Sequence, residues 1–269
     1  SDYDYPGFKA DAIQALTAAR IAKLGIKSSE TTRFIDSLEQ DTDFAVTAGA
    51  TGKLILAAVA TGKNPRCFGP TKAAAIDLVA LVRSFYDKGR YGDSNSHSAF
   101  DQGLAMLGLA AAGEKVPNKA VKFVQKRRAK FGWSFGLTTT AGDDIESTAL
   151  LIEALRASGV SRTNGGVKAA FKWIRFQRNP DGGYSPSGAA QPTNANATAY
   201  AIRAADALGR NEKDAKKALR ALQTSKGSFR LTPTERAAAP WLSTSDAVIA
   251  LSGAHYPIVS RRSAAKSCV

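Results

Sequence analysis

The sequence predicts an all-α fold, an α/α toroid in which an inner ring of six helices is wrapped by an outer ring. Six Ala-rich helical segments recur along the chain, more polar amphipathic segments alternate with them, and no strand pattern of any strength is present. The chain has 269 residues, of which 44% are hydrophobic, enough to bury a substantial core. We expect a single domain over residues 1–269.

The Ala-rich segments are the predicted inner helices. They span roughly residues 9–24, 46–61, 98–112, 144–158, 194–208 and 243–254. After the first interval their starts lie about 45 to 53 residues apart, a period typical of repeat architectures. Because apolar or small residues cover most faces of each segment, each helix must be buried on most faces.

The predicted outer helices carry a narrower apolar stripe and more charge. They span about residues 29–40, 70–84, 117–129, 165–177 and 212–224. The pattern therefore predicts six helical-hairpin repeats, in which the first outer helix is missing or degenerate. Terminal repeats are often atypical in this way.

The connections between the helices are asymmetric. Links from inner to outer helices are short, whereas links from outer to inner helices are long and repeat a phrase of a basic helix end, a Gly and an aromatic residue. The phrase occurs at residues 83–94, 125–136, 177–188 and 223–233. Since all inner helices run in one direction, the long loops gather above the inner-helix N-termini. Long loops on a rigid scaffold carry function, so this end is the predicted functional face.

The repeats resemble the prenyltransferase and squalene-cyclase repeat superfamily over about residues 8–256. The clearest elements are FQRNPDGGYSPSG at 176–188 and DDIESTALLIEALRASG at 143–159. This superfamily includes class II terpene cyclases and protein prenyltransferase β-subunits, and the resemblance implies the terpenoid cyclase α/α toroid. The segments FAVTAGATGKLILAAVATGKNPRCFG and HSAFDQGLAMLGLAAAG also look like exported actinobacterial repeat proteins without an assigned reaction. From that likeness we expect a secreted or cell-surface protein; a signal sequence is not visible in the chain.

The family chemistries match the residues only in part. Terpene cyclases of this kind protonate an alkene with the middle Asp of a D-x-D-D motif, and Asp144-Ile145-Glu146-Ser147 aligns with it, with Glu in place of the donor. The zinc ligands of prenyltransferases and the Cys-Gly-Glu-Gln of thioester domains are absent. With two Cys and no Cys/His cluster, we predict no metal site and no cofactor.

We therefore predict a non-catalytic extracytoplasmic binding or interaction module with a central cavity that opens at the long-loop end. An unknown small molecule or protein would bind there. The alternative is an isoprenoid cyclase-like or carbohydrate-active α/α-barrel enzyme. In that case Asp144 and Glu146 would act as general acid and base, and Trp133 could stack on a sugar.

The polar residues at the inner-helix starts have two interpretations. They could cap the helices, or they could join free helix N–H groups in a ligand site. Lys53, in an otherwise apolar inner helix, could pair with an acid or meet a ligand. The loop aromatic residues could pack the loops onto the ring or face a ligand. The candidate ligand-binding residues are Lys53, Tyr91, His97, Asp101, Trp133, Tyr184, Asn194, Asn196, Trp241 and Asp246.

The net charge of +14 favours anionic partners. The basic outer helices, above all residues 119–130, suggest contact with an anionic wall polymer or a membrane surface. Nucleic acid is disfavoured because no base-stacking motif accompanies the charge. The longest apolar run, at 54–60, is too short to cross a bilayer, so we predict no transmembrane segment.

The two cysteines, Cys67 and Cys268, both follow inner helices at the short-loop end. A disulfide between them would close the ring and would support export, because such bonds persist mainly outside a reducing cytosol. The other interpretation is two unpaired thiols, one in a loop and one in the C-terminal tail.

Overall fold

The structure, a computed structural model, describes residues 5–92, 97–186, 188, 191–235 and 240–259. Eleven α-helices lie within these ranges. The inner helices are α1 (Pro6–Ile21), α3 (Ala48–Thr61), α5 (Ala99–Ala111), α7 (Ile145–Ala157), α9 (Ala195–Ala207) and α11 (Pro240–Leu251). The outer helices are α2 (Ser28–Leu38), α4 (Leu78–Ser84), α6 (Asn118–Lys126), α8 (Gly165–Phe176) and α10 (Lys213–Ala221).

The inner helices form a closed ring. Each packs against the next inner helix along the chain, and α11 packs against α1. Small residues allow this close approach: a Cβ added to Gly52 of α3 would overlap the carbonyl group of Leu104 in α5. The predicted α/α toroid is therefore confirmed.

The outer helices cover the seams of this ring. Helix α2 lies against α1 and α3, α8 lies against α7 and α9, and α10 lies against α9 and α11. No outer helix precedes α1 within the described residues, which begin at Tyr5.

The structure departs from the sequence prediction at three places. Helix α4 starts at Leu78 rather than at residue 70, because the Asp77 carboxylate accepts a hydrogen bond from Ala80 N at 2.9 Å and caps the helix there. Helix α11 starts earlier than residue 243, at Pro240, since proline is tolerated in a first helical turn. The α4–α5 loop contains an antiparallel pair of short strands, β1 (Tyr86–Asp87) and β2 (Arg90–Tyr91), where no strand was expected.

The repeated Gly-aromatic phrase of the long loops is a structural clamp. Trp133 N donates to Thr148 Oγ1 at 2.9 Å, and Tyr184 N donates to Thr198 Oγ1 at 3.0 Å. Each threonine hydroxyl donates back to the carbonyl of its aromatic partner at 3.2 Å. Both threonines are the fourth residue of their inner helix. The aromatic residue is thereby fixed to the start of the inner helix that follows it.

The clamped aromatic side chains then reach outward to an outer helix. Trp133 Nε1 donates to Val124 O in α6 at 2.8 Å, and the Tyr184 hydroxyl donates to Glu212, which precedes α10, at 3.3 Å. Gly182 has φ +95°, and a side chain there would collide with the backbone of Asp214. In these two repeats the aromatic residue therefore links the inner and outer layers.

We expect Thr198→Val to lower the free energy of unfolding by about 1 to 3 kcal/mol, because it leaves the buried N–H of Tyr184 without a partner, whereas the Tyr184 carbonyl still accepts from Asn194 N at 2.8 Å. The change keeps the shape of the side chain. Urea unfolding would measure the loss against Thr140→Val, an exposed loop position at which we expect less than about 0.5 kcal/mol. Equal losses in the two variants would show that the clamp does not stabilise the ring.

Candidate functional site at the long-loop end

The inner helices begin at the long-loop end, and most of their starts are capped. Each cap accepts a backbone N–H within the first turn: Ala50 N at 3.1 Å, Asp101 N at 3.0 Å, Ser147 N at 2.7 Å and Asn196 N at 2.9 Å. The four caps are Thr47, Ser98, Asp144 and Asn194. For Asp144 and Asn194 the structure therefore supplies a structural role.

The first N–H group of three inner helices is also occupied. Ala99 N donates to Phe135 O at 2.7 Å, Ile145 N to Pro186 O at 3.5 Å, and Ala195 N to Leu231 O at 2.8 Å. In each case the acceptor lies in the next long loop along the chain. With caps and loops taking these donors, the helix starts offer little to an anionic ligand.

Two further predicted ligand residues, Asp101 and His97, make contacts with neighbouring parts of the ring. Asp101 Oδ1 accepts from Gly49 N at 3.0 Å, which joins α5 to the start of α3, and Asp101 Oδ2 accepts from the Ser98 hydroxyl at 2.7 Å. The Nδ1 of His97 lies 3.1 Å from Tyr91 O, and its ring packs edge-on against Phe123. Burial lowers the pKa of His97, so this ring is neutral at physiological pH.

The predicted aromatic ligand residues are mostly inside the wall. Tyr91 and Tyr184 are 0% exposed and Trp133 is 1% exposed, so their rings pack between inner and outer helices. Trp241 is half-buried and lies 4.9 Å from Phe8, centroid to centroid. In this geometry the three buried rings belong to the packed wall and not to the surface of a cavity.

A buried arginine occupies the interior of the ring. Arg203 of α9 is fully buried, and its guanidinium lies 2.7 Å from Glu153 Oε2 in α7 and 3.1 Å from Asp246 Oδ1 in α11. Its charged group also lies 4.3 Å from the ring centre of Tyr200 and 4.1 Å from that of Tyr256. Asp246, a predicted ligand residue, is thus the partner of a buried cation.

Further contacts satisfy the other charged groups of the interior. Tyr256, in the chain after α11, donates its backbone N–H to Glu153 Oε1 at 2.8 Å. Lys53 Nζ of α3 lies 2.9 Å from Asp11 Oδ2 of α1, so the pairing interpretation of Lys53 is the one that the structure contains. Five of the six inner helices contribute charged side chains to these interior pairs. These paired groups therefore lie within the interior of the ring.

On the long-loop side of these paired groups, four half-buried side chains form what we call the mouth: Phe100, Glu146, Asn196 and Tyr200. The first three are each the second residue of their helix, so they lie at one height in a ring of parallel inner helices. The rings of Phe100 and Tyr200 are 6.0 Å apart. Asn196 Oδ1 is buried and has no hydrogen-bond partner among the described residues.

Glu146 is the titrating group of the mouth. Burial raises its pKa to about 7, the nearby charge of Asp144 adds to the rise, and Arg203 opposes it. Burial also raises the pKa of Asp144. A carboxyl that exchanges its proton near neutrality can bind a polar group in either form, and it can also act as a general acid or base.

The charged residues of the interior were only partly found from the sequence. Glu153 and Arg203 are charged residues within largely apolar stretches of α7 and α9, a weaker form of the signal that identified Lys53. Asp11 lies among small residues of α1 in a similar way. Tyr256 carried no signal, because nothing in the sequence shows that the chain after α11 turns back into the ring.

Two observations on metals and membranes apply to the described part of the chain. It contains no group of three or more His, Cys, Asp or Glu side chains able to hold a metal ion. None of its helices is long and apolar enough to cross a membrane. Cys67 is disulfide-bonded, whereas Cys268 lies outside the described residues, so the pairing of the two stays a prediction.

Comparison with known proteins shows the fold and no more. No protein-family model and no curated protein matches the sequence. Among solved structures, the chain is similar to ent-copalyl diphosphate synthase from Streptomyces platensis, with a TM-score of 0.59 and 14% identity over 93% of this chain and 50% of that one. The chain therefore spans about half the length of that synthase.

Two further structures share the ring. Candida albicans protein geranylgeranyltransferase-I, solved with GGPP, has a TM-score of 0.64 and 12% identity over 91% of this chain and 83% of that one. A glycosidase has a TM-score of 0.54 and 12% identity over 91% of this chain and 85% of that one. The chain has the α/α toroid that cyclases, prenyltransferases and glycosidases share, and at these identities the likeness concerns the fold alone.

We expect Glu146→Gln to stabilise the protein at pH 8 and to have no effect near pH 4. The raised pKa means that the folded state holds a proton that the unfolded state releases between about pH 4.5 and 7, so the free energy of unfolding falls as pH rises through that interval. The Gln side chain removes this free-energy cost, which is on the order of 3 kcal/mol at pH 8. Urea unfolding at both pH values measures it, with the exposed Glu235→Gln as the matched control. A pH-independent difference would contradict the raised pKa.

Proposed function

We propose that the protein is a non-catalytic binding module whose ligand-contacting surface is the mouth at the long-loop end. The observation that carries this proposal is the set of paired charges in the interior of the ring. Arg203 lies one turn beyond Tyr200 along α9, and its charge is taken up by Glu153 and Asp246. A ligand that enters from the long-loop end meets these paired groups directly below the mouth, so it stays near the entrance.

The side chains of the mouth indicate the chemistry of the ligand. The rings of Phe100 and Tyr200 would contact an apolar part, and the Glu146 carboxyl and the Asn196 amide would bind a polar group. Among the described residues of these interior pairs and the mouth, two cations, Arg203 and Lys53, stand against four carboxyls. These acids are Asp11, Glu146, Glu153 and Asp246. This excess of acid disfavours an anionic head group, so the ligand is a small amphipathic molecule with a neutral or cationic polar group.

The extracytoplasmic placement is part of the proposal. It rests on the likeness to exported repeat proteins, and the oxidised state of Cys67 supports it, since disulfides persist mainly in oxidising compartments. Intact-mass measurement of freshly isolated protein after alkylation without reductant would show two labelled cysteines if this placement were wrong.

The second candidate is an enzyme that uses Glu146 as a general acid. Its pKa of about 7 and its place at a mouth lined with aromatic rings favour this candidate. Asp144 is less suited to act beside it, because its carboxylate holds Ser147 N at 2.7 Å. A carbohydrate-active version would need Trp133 as a sugar platform, and that ring is 1% exposed. The isoprenoid cyclase-like version therefore fits the geometry better.

Native mass spectrometry of gently purified protein can separate the two candidates. We expect a small molecule to co-purify with the wild type, to be retained by Phe34→Ala, a partly exposed residue of the outer helix α2, and to be lost from Phe100→Ala. A binding module holds the same molecule in wild type and in Glu146→Gln. If the wild type instead carries a converted product and Glu146→Gln carries its precursor, the protein is an enzyme and the binding-module proposal fails.

A further inference from the structure

The outer wall formed by α6, α8 and their flanking loops is basic without interruption. Residues 115–142 contain seven Lys or Arg residues and no Asp or Glu, and residues 154–180 contain six and none. A third stretch, residues 215–234, contains five Lys or Arg residues and no Asp or Glu. Among the described residues, the ion pairs of this wall lie at its edge, where Glu212 and Asp214 pair with Arg175 and Arg178. Most of the positive charge of this wall is therefore directed to solvent.

An exposed apolar groove lies within this basic wall. Its volume is about 460 Å³, and it is lined by Phe131, Ala169, Trp173 and Phe176, with Lys172 and Gln177 beside them. Phe176 is 85% exposed and Phe131 is 43% exposed, which is unusual for side chains of this size. The Lys130 ammonium lies 5.1 Å from the centre of the Phe131 ring. Aromatic and basic groups thus share one surface, which we call the aromatic-basic patch.

The patch lies at the rim of the mouth. Phe176 is the last residue of α8 and Phe131 follows α6, and outer helices end where the long loops begin. In the same loop, Phe135 is 60% exposed, and its ring lies 6.0 Å from that of Phe100. Aromatic rings therefore continue from Tyr200 in the mouth, through Phe100 and Phe135, to the outer surface.

We propose that the aromatic-basic patch docks on the surface of an anionic lipid bilayer. Phe131 and Phe176 enter the interface between head groups and acyl chains, while the Lys and Arg side chains of α6 and α8 contact the lipid head groups. Each basic residue near such a surface contributes roughly 1 kcal/mol. An extended anionic surface fits better than a peptide, because the basic residues lie on two neighbouring outer helices, on both sides of the groove.

Docking in this way turns the rim of the mouth toward the lipid. A membrane-derived amphipathic molecule would then have a short path along the aromatic rings to Glu146 and Asn196. The docking itself does not depend on the binding function proposed for the mouth, since none of the patch residues belongs to the mouth.

Vesicle co-sedimentation at physiological salt tests the proposal. We expect the protein to bind vesicles of phosphatidylcholine mixed with phosphatidylglycerol and to stay in solution with pure phosphatidylcholine. The double variants Phe131→Ser/Phe176→Ser and Lys168→Glu/Lys172→Glu should each weaken the binding by about tenfold or more. Because all four side chains are exposed, the urea midpoint should be unchanged and will confirm folding.

Two matched controls make the test specific. Lys213→Glu/Lys217→Glu changes the charge equally on exposed positions of α10, and Leu24→Ser removes an apolar side chain that is 62% exposed elsewhere. Both should bind as the wild type does. Binding to neither vesicle, equal weakening by the α10 control, or an unchanged affinity of the Phe variant would overturn the proposal. Capture by a soluble anionic wall polymer without loss in the Phe variant would assign the wall to that polymer instead. Native mass spectrometry of the patch variants should still show the ligand of the mouth, so the two proposals fail separately.

Discussion

The buried ion pairs of Arg203 are the interaction on which the rest of the structure depends. Glu153, Arg203 and Asp246 lie on three successive inner helices, α7, α9 and α11, so their contacts fix how these helices meet. Burying three charges is costly unless each finds partners with good geometry. The geometry here supplies carboxylates on two sides of the guanidinium and the rings of Tyr200 and Tyr256 on its faces. The toroid closes around this group, and the chain after α11 returns to it through Tyr256 N.

The ion pairs of Arg203 also limit where a ligand can bind. A toroid with an open interior could hold a long substrate, whereas here the charged groups below the mouth are engaged with one another. What remains at the long-loop end is a small aromatic and acidic surface, with Glu146 close to its titration point at neutral pH. The opposite charge lies outside, on the wall of α6 and α8. The charged side chains of the interior are paired with one another, whereas those of the α6 and α8 wall face solvent.

Much of this organisation could be predicted from the sequence, because helix periodicity, small residues and loop lengths are local signals. Ten of the eleven described helices start within three residues of their predicted starts. Helix α4 is shorter than predicted, because Asp77 caps its start and the preceding chain forms the Phe68–Ile76 bridge. Helical periodicity in the sequence does not reveal either contact. The Gly-aromatic phrase was visible, but its use depends on side-chain direction: the rings of Trp133 and Tyr184 turn outward into the wall. The pairing of Arg203 needs three helices in their ring positions, which no single segment encodes.

The most direct measurement of the central claim is a double-mutant cycle between Arg203 and Glu153, with free energies of unfolding from urea titrations of wild type, Arg203→Met, Glu153→Gln and the double variant. The structure predicts that Arg203→Met alone costs about 3 to 5 kcal/mol, because it leaves buried carboxylates unpaired. Adding Glu153→Gln to that variant should cost far less than it does in wild type, with a coupling free energy of about 2 kcal/mol or more. Additive effects within about 0.5 kcal/mol would contradict the account, since they would mean that the pair is solvated and the interior of the ring is open.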